Sequence, residues 1–286
     1  MPDPSNRRLA AGLHVVATPI GSARDITLRA LDVLRSADVI AAEDTRTTRR
    51  LMEIHSVPLQ GRPLVPYHDH NGAQQRPKLM QMIEEGKSVA YVSDAGTPLV
   101  ADPGFVLARE VIAAGHEVWA VPGASAVLAA LVVAGLPTDR FLFAGFAPNA
   151  EGARVKFLSE FRDVPATLVF FEAPRRVSRS LRSFVSVFGG ERRAAVCREL
   201  TKKFEEVVRG TLAELADIYE GATPKGEIVI IIDRPSQNGK DVDLAYALAE
   251  ALKTMSVKDA ARHVADATGL PRRDVYQAAL KMEKTP

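Results

Sequence analysis

The sequence predicts an α/β protein with two sheet-containing domains and a small helical tail. Three observations lead there. Before Gly135, short β-branched runs alternate with amphipathic stretches four times, the rhythm of a mainly parallel sheet. Beyond Asp139 the alternation continues less regularly and closes on the unbroken run I-V-I-I-I at 228–232, which suits a mixed sheet. After the polar stretch 234–243 only helical patterns remain. A chain of 286 residues has room for two domains of ordinary size and an appendage.

Taken in order, a polar leader at 1–12 precedes the apolar run 13–17, a buried strand that Thr18, Pro19 and Gly21 turn into a loop. Leu28, Leu31 and Leu34 stand at helical spacing and put a helix over 27–37. A strand at 39–42 is closed by Glu43, Asp44, Thr45 and Arg46. A helix follows at 48–54, a proline-containing connection at 56–66 and a helix at 76–85 stopped by Gly86. The strand 88–92 opens into a long loop of small residues, 93–104, before a helix at 105–114. A strand at 118–121 and an apolar helix at 124–134 complete the first domain, 1–135, and 135–139 reads as a hinge. The second domain, 136–234, carries strands at 141–146, 167–171 and 227–233 and helices at 155–161, 177–188 and 211–219. In it 193–198 and 204–208 pair as antiparallel strands. The tail, 244–286, holds helices at 244–253, 257–268 and 272–281. The last two flank Gly269, Leu270 and Pro271 in the manner of a helix-turn-helix.

Composition narrows the class. Apolar residues at 47% and charged residues at 25% are those of a globular protein, which excludes a disordered, collagenous or coiled-coil chain. No apolar run reaches the roughly 18 residues of a membrane span. The first residues lack the apolar core of a secretory signal, and the lone Cys197 excludes a disulfide framework or a cysteine-rich zinc site, so a cytoplasmic location is expected. A net charge of +2 from 37 basic and 35 acidic residues leaves room for local patches.

The most informative segment is S-D-A-G-T-P-L-V-A-D-P-G at 93–104. Ligands of open parallel sheets bind at the carboxyl ends of strands. Gly96 and Gly104 let a ligand approach the backbone, and Asp94 and Asp102 can accept hydrogen bonds from hydroxyls or offset a cation. The length and composition favour a ligand loop over a turn with capping aspartates. The loops 18–21 and 122–126 leave strands on the same rim. There Ser125 either bonds a ligand or caps its helix. Each is an ordinary turn alone; their convergence is the signal. No G-x-G-x-x-G follows the first strand and no G-x-x-x-x-G-K-[ST] occurs, which argues against NAD and P-loop sites.

The run E-D-T-R-T-T-R-R at 43–50 is either a mixed-charge helix start or a holder of a phosphate-bearing substrate, to which arginine is suited. Arg175-Arg176, Arg192-Arg193, Lys202-Lys203 and Arg272-Arg273 are solvated faces singly. With a helix-turn-helix tail they make a nucleic acid a reasonable partner. His68, Asp69 and His70 cluster, but the other histidines are dispersed and no metal is expected. No G-x-S-x-G elbow occurs. Cys197 and Trp119 stand in strands, where burial is expected for both.

Several segments together carry a family resemblance: V-A-T-P-I-G-S-A-R-D-I-T-L-R-A-L, A-E-D-T-R-T-T-R-R-L, Y-H-D-H-N, V-S-D-A-G-T-P-L-V-A-D-P-G, V-P-G-A-S-A, F-F-E-A-P-R-R, C-R-E-L-T-K-K-F-E-E and K-G-E-I-V-I. In this order, over 13–233, the chain resembles the tetrapyrrole methylase superfamily. Within it, the chain is similar to the branch that methylates the 2′-oxygen of a cytidine ribose in the decoding region of bacterial 16S rRNA. The resemblance implies a class III methyltransferase fold, a homodimer, and S-adenosylmethionine in the cleft between the domains. By motif matching, Pro19, Ile20, Gly21, Asp94, Ala95, Gly96, Thr97, Val100, Ala101, Asp102, Ser125 and Ala126 line the cofactor from the first domain. Phe171, Glu172, Lys225 and Gly226 line it from the second. Glu43 and Asp44 are then expected at the acceptor ribose, and Arg46, Arg49, Arg50 and Lys202 at the RNA. The readings that compete are a porphyrin or corrin C-methyltransferase of the same fold and a non-catalytic RNA-binding assembly factor. The tail and the basic clusters argue against the first, the intact loop set against the second.

Overall fold

The computed structural model describes residues 9–68, 71–99, 104–235, 237–268 and 270–283. The first apolar run forms β1 (Gly12–Val16), buried along its whole length as a parallel strand covered on both faces must be. Thr27 caps α1 (Leu28–Ser36) by accepting from the Ala30 amide, and Ala30, Leu31, Val33 and Leu34 face the core. β2 (Val39–Ala42) leads into α2 (Thr45–Ile54). This helix starts three residues before the expected 48, because the Asp44 side chain accepts from the Arg46 amide and caps it there.

The stretch 56–66, expected as connection alone, contains β3 (Leu64–Pro66), a short strand beside β2. Its closing proline is tolerated because β3 is an edge strand. Next come α3 (Gly72–Glu84), running through Pro77 and starting a turn before the expected 76, β4 (Ser88–Val92) and α4 (Phe105–Ala113). β5 (Val118–Val121) and α5 (Ala126–Ala134) follow. The five strands are parallel, in the order β3-β2-β4-β1-β5. Register aligns Val16 with Val92 and Val121, and Val92 with Ala42, so four strands end on one rim.

The second half contains β6 (Phe141–Phe146), α6 (Glu151–Ser159), β7 (Thr167–Glu172), α7 (Val177–Phe188) and β8 (Arg193–Arg198). It continues with β9 (Glu206–Thr211), α8 (Leu212–Ile218) and β10 (Ile228–Ile232). The sheet order is β6-β7-β10-β8-β9, parallel at β6–β7 and antiparallel elsewhere. α6 begins four residues before the expected 155, because its core-facing positions are Arg154 and Leu158 and a buried arginine breaks the apolar pattern. β9 starts at Glu206 and not at 204, since Phe204 is 63% exposed in the preceding turn.

One face of the second sheet packs on α6, α7 and α8 around Leu168, Phe170, Leu181 and Phe184. The other packs on α5: Val127, Leu131 and Ala134 meet Val169, Cys197 and Ile231. Gly135 ends α5 in the left-handed conformation, Leu136 is buried, and the Thr167 hydroxyl donates to the Pro137 carbonyl at 2.6 Å. The expected hinge at 135–139 is therefore fastened at both ends of its apolar stretch. Cys197 is fully buried, as expected. Trp119 is not: it lies on the edge strand β5, 38% exposed, stacked 6.2 Å from the His14 ring.

The tail forms α9 (Gln237–Leu252), α10 (Val257–Thr268) and α11 (Arg272–Glu283). They share a core of Leu244, Leu248, Val264, Val275 and Ala279. α9 starts seven residues before the expected 244, inside a stretch whose polar composition suggested a linker. Among the described residues no helix is long and apolar enough to cross a membrane.

Candidate active site

The strand ends of the first sheet are tied into one surface. Thr18 and Gly96 exchange backbone hydrogen bonds of 2.9 and 3.1 Å, joining the loops after β1 and β4. The Thr18 hydroxyl donates to the Ser93 carbonyl at 3.2 Å. The Thr97 hydroxyl donates to the Ala124 carbonyl at 3.0 Å, which brings in the loop before α5. Loop backbone held this way is a fixed wall with its polar groups already directed.

Opposite that wall stands the second sheet, and between them lies a cavity of about 410 Å³. Pockets of roughly 300–1,000 Å³ are the size that buries a cofactor-sized ligand. Ile20, 94–97 and 125–127 line it from the first half; Phe146, 171–174 and 226–229 line it from the second. Most of this surface is apolar side chain and backbone. Among the described residues its ionisable groups are Glu43, Asp94, Glu172 and Glu227, all carboxylates. Glu172 and Glu227 are ion-paired with Arg176 and Lys202, so Glu43 and Asp94 supply the negative side of this partly enclosed surface, which suits hydroxyl groups and a positive centre.

The carboxylates are held from several elements. The Asp94 amide donates to Glu43 Oε2 at 3.2 Å, and the Asp44 amide donates to Asp94 Oδ1 at 3.1 Å, so the ends of β2 and β4 clasp each other. Asp44 also pairs with Arg46 at 2.7 Å, and the guanidinium with the backbone amide holds the Asp44 carboxyl down to about 2. Burial pushes Asp94 up from the ordinary value; the Asp44 amide opposes this and the Asp44 charge adds to it. Glu172 is 3% exposed yet fully partnered: it accepts from the Ser180 hydroxyl at 2.5 Å and the Ala173 amide at 2.8 Å, and pairs with Arg176 at 3.0 Å.

At the seam, Lys202 Nζ bridges Glu199 at 2.8 Å and Glu227 at 2.9 Å. Burial works against the Lys202 charge, but the two carboxylates outweigh it and raise the pKa. Gly226, at φ +96°, lets Glu199 in: a Cβ there would lie 2.3 Å from Glu199 Cδ.

Of the residues expected around a cofactor, Ile20, Asp94, Ala95, Gly96, Thr97, Ser125, Ala126, Phe171, Glu172 and Gly226 line the cavity. Pro19, Gly21 and Lys225 do not. Gly21 makes room for the second half: a Cβ there would stand 2.5 Å from Lys202 Cγ and 2.6 Å from Thr201 Oγ1, and the Ser22 amide donates to Thr201 Oγ1 at 3.0 Å. Lys225 offers its carbonyl to Arg198 Nη1 at 3.2 Å. Val100, Ala101 and Asp102 lie outside the described residues, as do Asp69 and His70. Glu43 lines the cavity, whereas Asp44 stands behind it and braces Asp94. Arg46, Arg49 and Arg50 are exposed on α2, whose first turn adjoins Glu43. Lys202, expected at the RNA, is committed to two carboxylates instead.

Sequence reasoning missed Val127, Phe146, Ala173, Pro174, Glu227, Ile228 and Val229. The strand-end rule applied to the second sheet would have found Phe146, which ends β6 in register with Phe171; Glu227 and Ile228 enter at the amino end of β10, which reaches this rim only because β10 runs antiparallel to β7. Among the described residues no group of three His, Cys, Asp or Glu side chains is placed to hold a metal ion.

Comparison with known proteins agrees with this architecture. The family model described as Tetrapyrrole (Corrin/Porphyrin) Methylases matches residues 12–216, and that of the RsmI C-terminal HTH domain matches 238–283. The chain belongs to the tetrapyrrole methylase family. The ribosomal RNA small subunit methyltransferase I of Mesorhizobium japonicum is 47% identical over 98% of this chain and 95% of its own length. The protein of the same name from Pseudomonas aeruginosa is 41% identical over 96% and 98%. Among solved structures, the uroporphyrin-III C-methyl transferase of Thermus thermophilus, complexed with S-adenyl homocysteine, superposes with a TM-score of 0.54 at 20% identity. That match covers 78% of this chain and 97% of the other. The methylase shares its fold with that enzyme.

Proposed function

We propose that this chain is an S-adenosylmethionine-dependent methyltransferase that modifies the 2′-oxygen of a cytidine ribose in bacterial 16S rRNA. One observation carries the reading: a cavity at the strand ends, ionisable only through carboxylates, in a chain whose near-full-length relatives are named small-subunit rRNA methyltransferases.

The lining fits the cofactor, since backbone and apolar surface suit its purine and aliphatic parts and the carboxylates suit its positive sulfur and ribose hydroxyls. Bound there, S-adenosylmethionine supplies an activated methyl group. Residues 94–97, 125–126 and 226–228 would hold it, with Ile20, Phe171 and Val229 against its apolar parts. The chain's own task is then alignment and proton handling, because orienting two reactants accounts for much of the rate of a displacement. Glu43 is the catalytic group: it accepts the acceptor hydroxyl as a hydrogen-bond donor and takes its proton at a carboxylate oxygen. Asp94 holds Glu43 in place through its amide, and Asp44, ionised down to about pH 2, braces Asp94 in turn.

Arg46, Arg49 and Arg50 meet RNA phosphates beside the cleft. The unit 1–135 presents the acceptor side, 136–234 closes the cofactor site, and the tail 244–286 grips the rRNA. The acceptor nucleotide is drawn out of its helix to reach the cavity. The enzyme works in the cytoplasm as a homodimer. α5 is apolar on all sides and leaves Leu128 and Val132 exposed, which supports a second copy on that face.

The test is transfer of labelled methyl from S-adenosylmethionine to small ribosomal subunits of a strain lacking the enzyme, with nuclease mapping of the product. Label on the 2′-oxygen of one cytidine is expected, with kcat lowered about 10²-fold in Glu43→Gln. Cofactor binding without label on subunits or naked rRNA overturns the assignment.

A further inference from the structure

A second cavity, of about 310 Å³, opens on the outer side of the second sheet and is lined by Asn149, Arg154, Arg179, Arg182, Ser183 and Ser186 together with one carboxylate, Glu151. Arg154 is 2% exposed. Its guanidinium donates to Ser183 Oγ at 2.9 Å, to the Asn149 carbonyl at 2.8 Å and to the Pro148 carbonyl at 3.5 Å. Every one of these partners is neutral. Among the described residues no carboxylate comes within ion-pair distance of Arg154, although buried cations ordinarily have one. Burial lowers the Arg154 pKa, the charges of Arg179 and Arg176 lower it further, and the more weakly felt carboxylates of Glu151 and Glu172 oppose this.

The rim adds to the positive charge. Arg179 and Arg182 stand one turn apart on α7, with Ser186 a turn beyond on the same face. Arg179 is positioned by Asn149 Oδ1 at 2.7 Å, and Arg182 has only a loose contact with Glu220 at 3.9 Å. Three fixed or semi-fixed guanidinium groups around a hollow, with hydroxyls between them, form the donor array that a phosphate oxygen accepts from.

The place of this hollow matters as much as its charge. Phe146 lines the first cavity and Asn149 the second. They stand three positions apart, at most about 11 Å of extended chain. The intervening carbonyls of Ala147 and Pro148 accept from Arg176, which pairs with Glu172 on the first cavity's wall.

We propose that this second cavity is a phosphate subsite for the backbone of the RNA substrate, with Arg154 as its floor and Arg179 and Arg182 as its rim. The subsite rests on the reading of the chain as an RNA-modifying enzyme. It holds the strand while a neighbouring ribose enters the first cavity. Its contribution is independent of base sequence.

The experiment uses the full-length protein and Arg179→Gln, Arg182→Gln and the double variant, all at exposed positions, with Arg154→Met as a fourth. Affinity for a 16S rRNA fragment is measured against salt concentration, alongside the KM for subunits and the affinity for S-adenosylmethionine. Each lost phosphate contact lowers the slope of log affinity against log salt by about 0.7, so the double variant loses roughly 1.4. The KM for subunits rises and cofactor affinity stays at the wild-type value. Unchanged RNA affinity and slope in the double variant overturn the subsite, whatever Arg154→Met does to folding. Inorganic phosphate that saturates the cavity without being displaced by the RNA fragment also overturns it, in favour of a free-anion site. A wild-type protein that shows the slope difference yet transfers no methyl to RNA supports the subsite and sinks only the enzymatic reading.

Discussion

Asp44 and Asp94 sit one hydrogen bond apart and are driven in opposite directions. Asp44, held near 2 by Arg46 and the α2 amides, favours folding at any pH above its ordinary 3.8. That contribution is lost as pH falls from 3.8 through about 2. Asp94 is raised above 3.8 by burial, so its proton favours the folded state in acid, and that contribution is lost as pH rises through its raised midpoint. Carboxyl ¹³C titration will place Asp44 near 2 and Asp94 above 3.8. In Asp44→Asn, Asp94 will move down toward its ordinary value, because a neighbouring negative charge has gone. An Asp94 midpoint below 3.8 in the wild type contradicts the burial described above.

At the scale of elements, the seam depends on close approach. In Gly226→Ala the new Cβ would meet Glu199 Cδ at 2.3 Å at a backbone φ of +96°, so the Glu199–Lys202 pair must shift. A loss of roughly 1–3 kcal/mol is expected in denaturant unfolding. Gly221→Ala has φ +66° with open space around it, and a smaller loss there separates backbone strain from steric conflict. The same seam shows what the sequence could tell. Strand identities other than the three-residue edge strand β3 were legible, because β-branched runs bounded by glycine and proline have few other uses. So was the convergence of the loops on one rim, because parallel strands of one sheet must end together. The role of Gly21 was not: a glycine that admits a ligand and one that admits a turn from the other half look the same until the halves are packed. The α6 boundary was hidden for a related reason, since a buried, hydrogen-bonded Arg154 reads as surface in a one-dimensional pattern.

For the whole molecule, the homodimer proposed above would form on the exposed face of α5. Val132 is 80% exposed and Leu128 53%, on a helix with no polar side. Sedimentation will show a dimer for the wild type and a monomer for Leu128→Asp combined with Val132→Asp, with unchanged far-ultraviolet circular dichroism. A doubly substituted protein that remains dimeric moves the association to another face.

That helix has another consequence. α5 belongs by chain order to the first half, yet its inner face completes the core of the second sheet. Genetic order and thermodynamic unit therefore do not coincide. A chain severed at Gly135 would yield one fragment with a bare apolar helix and another with an uncovered sheet, and neither is a self-sufficient domain. The two halves are bound to melt together, and a recombination that exchanges one half between relatives must carry α5 with the sheet it covers and not with the strands that precede it.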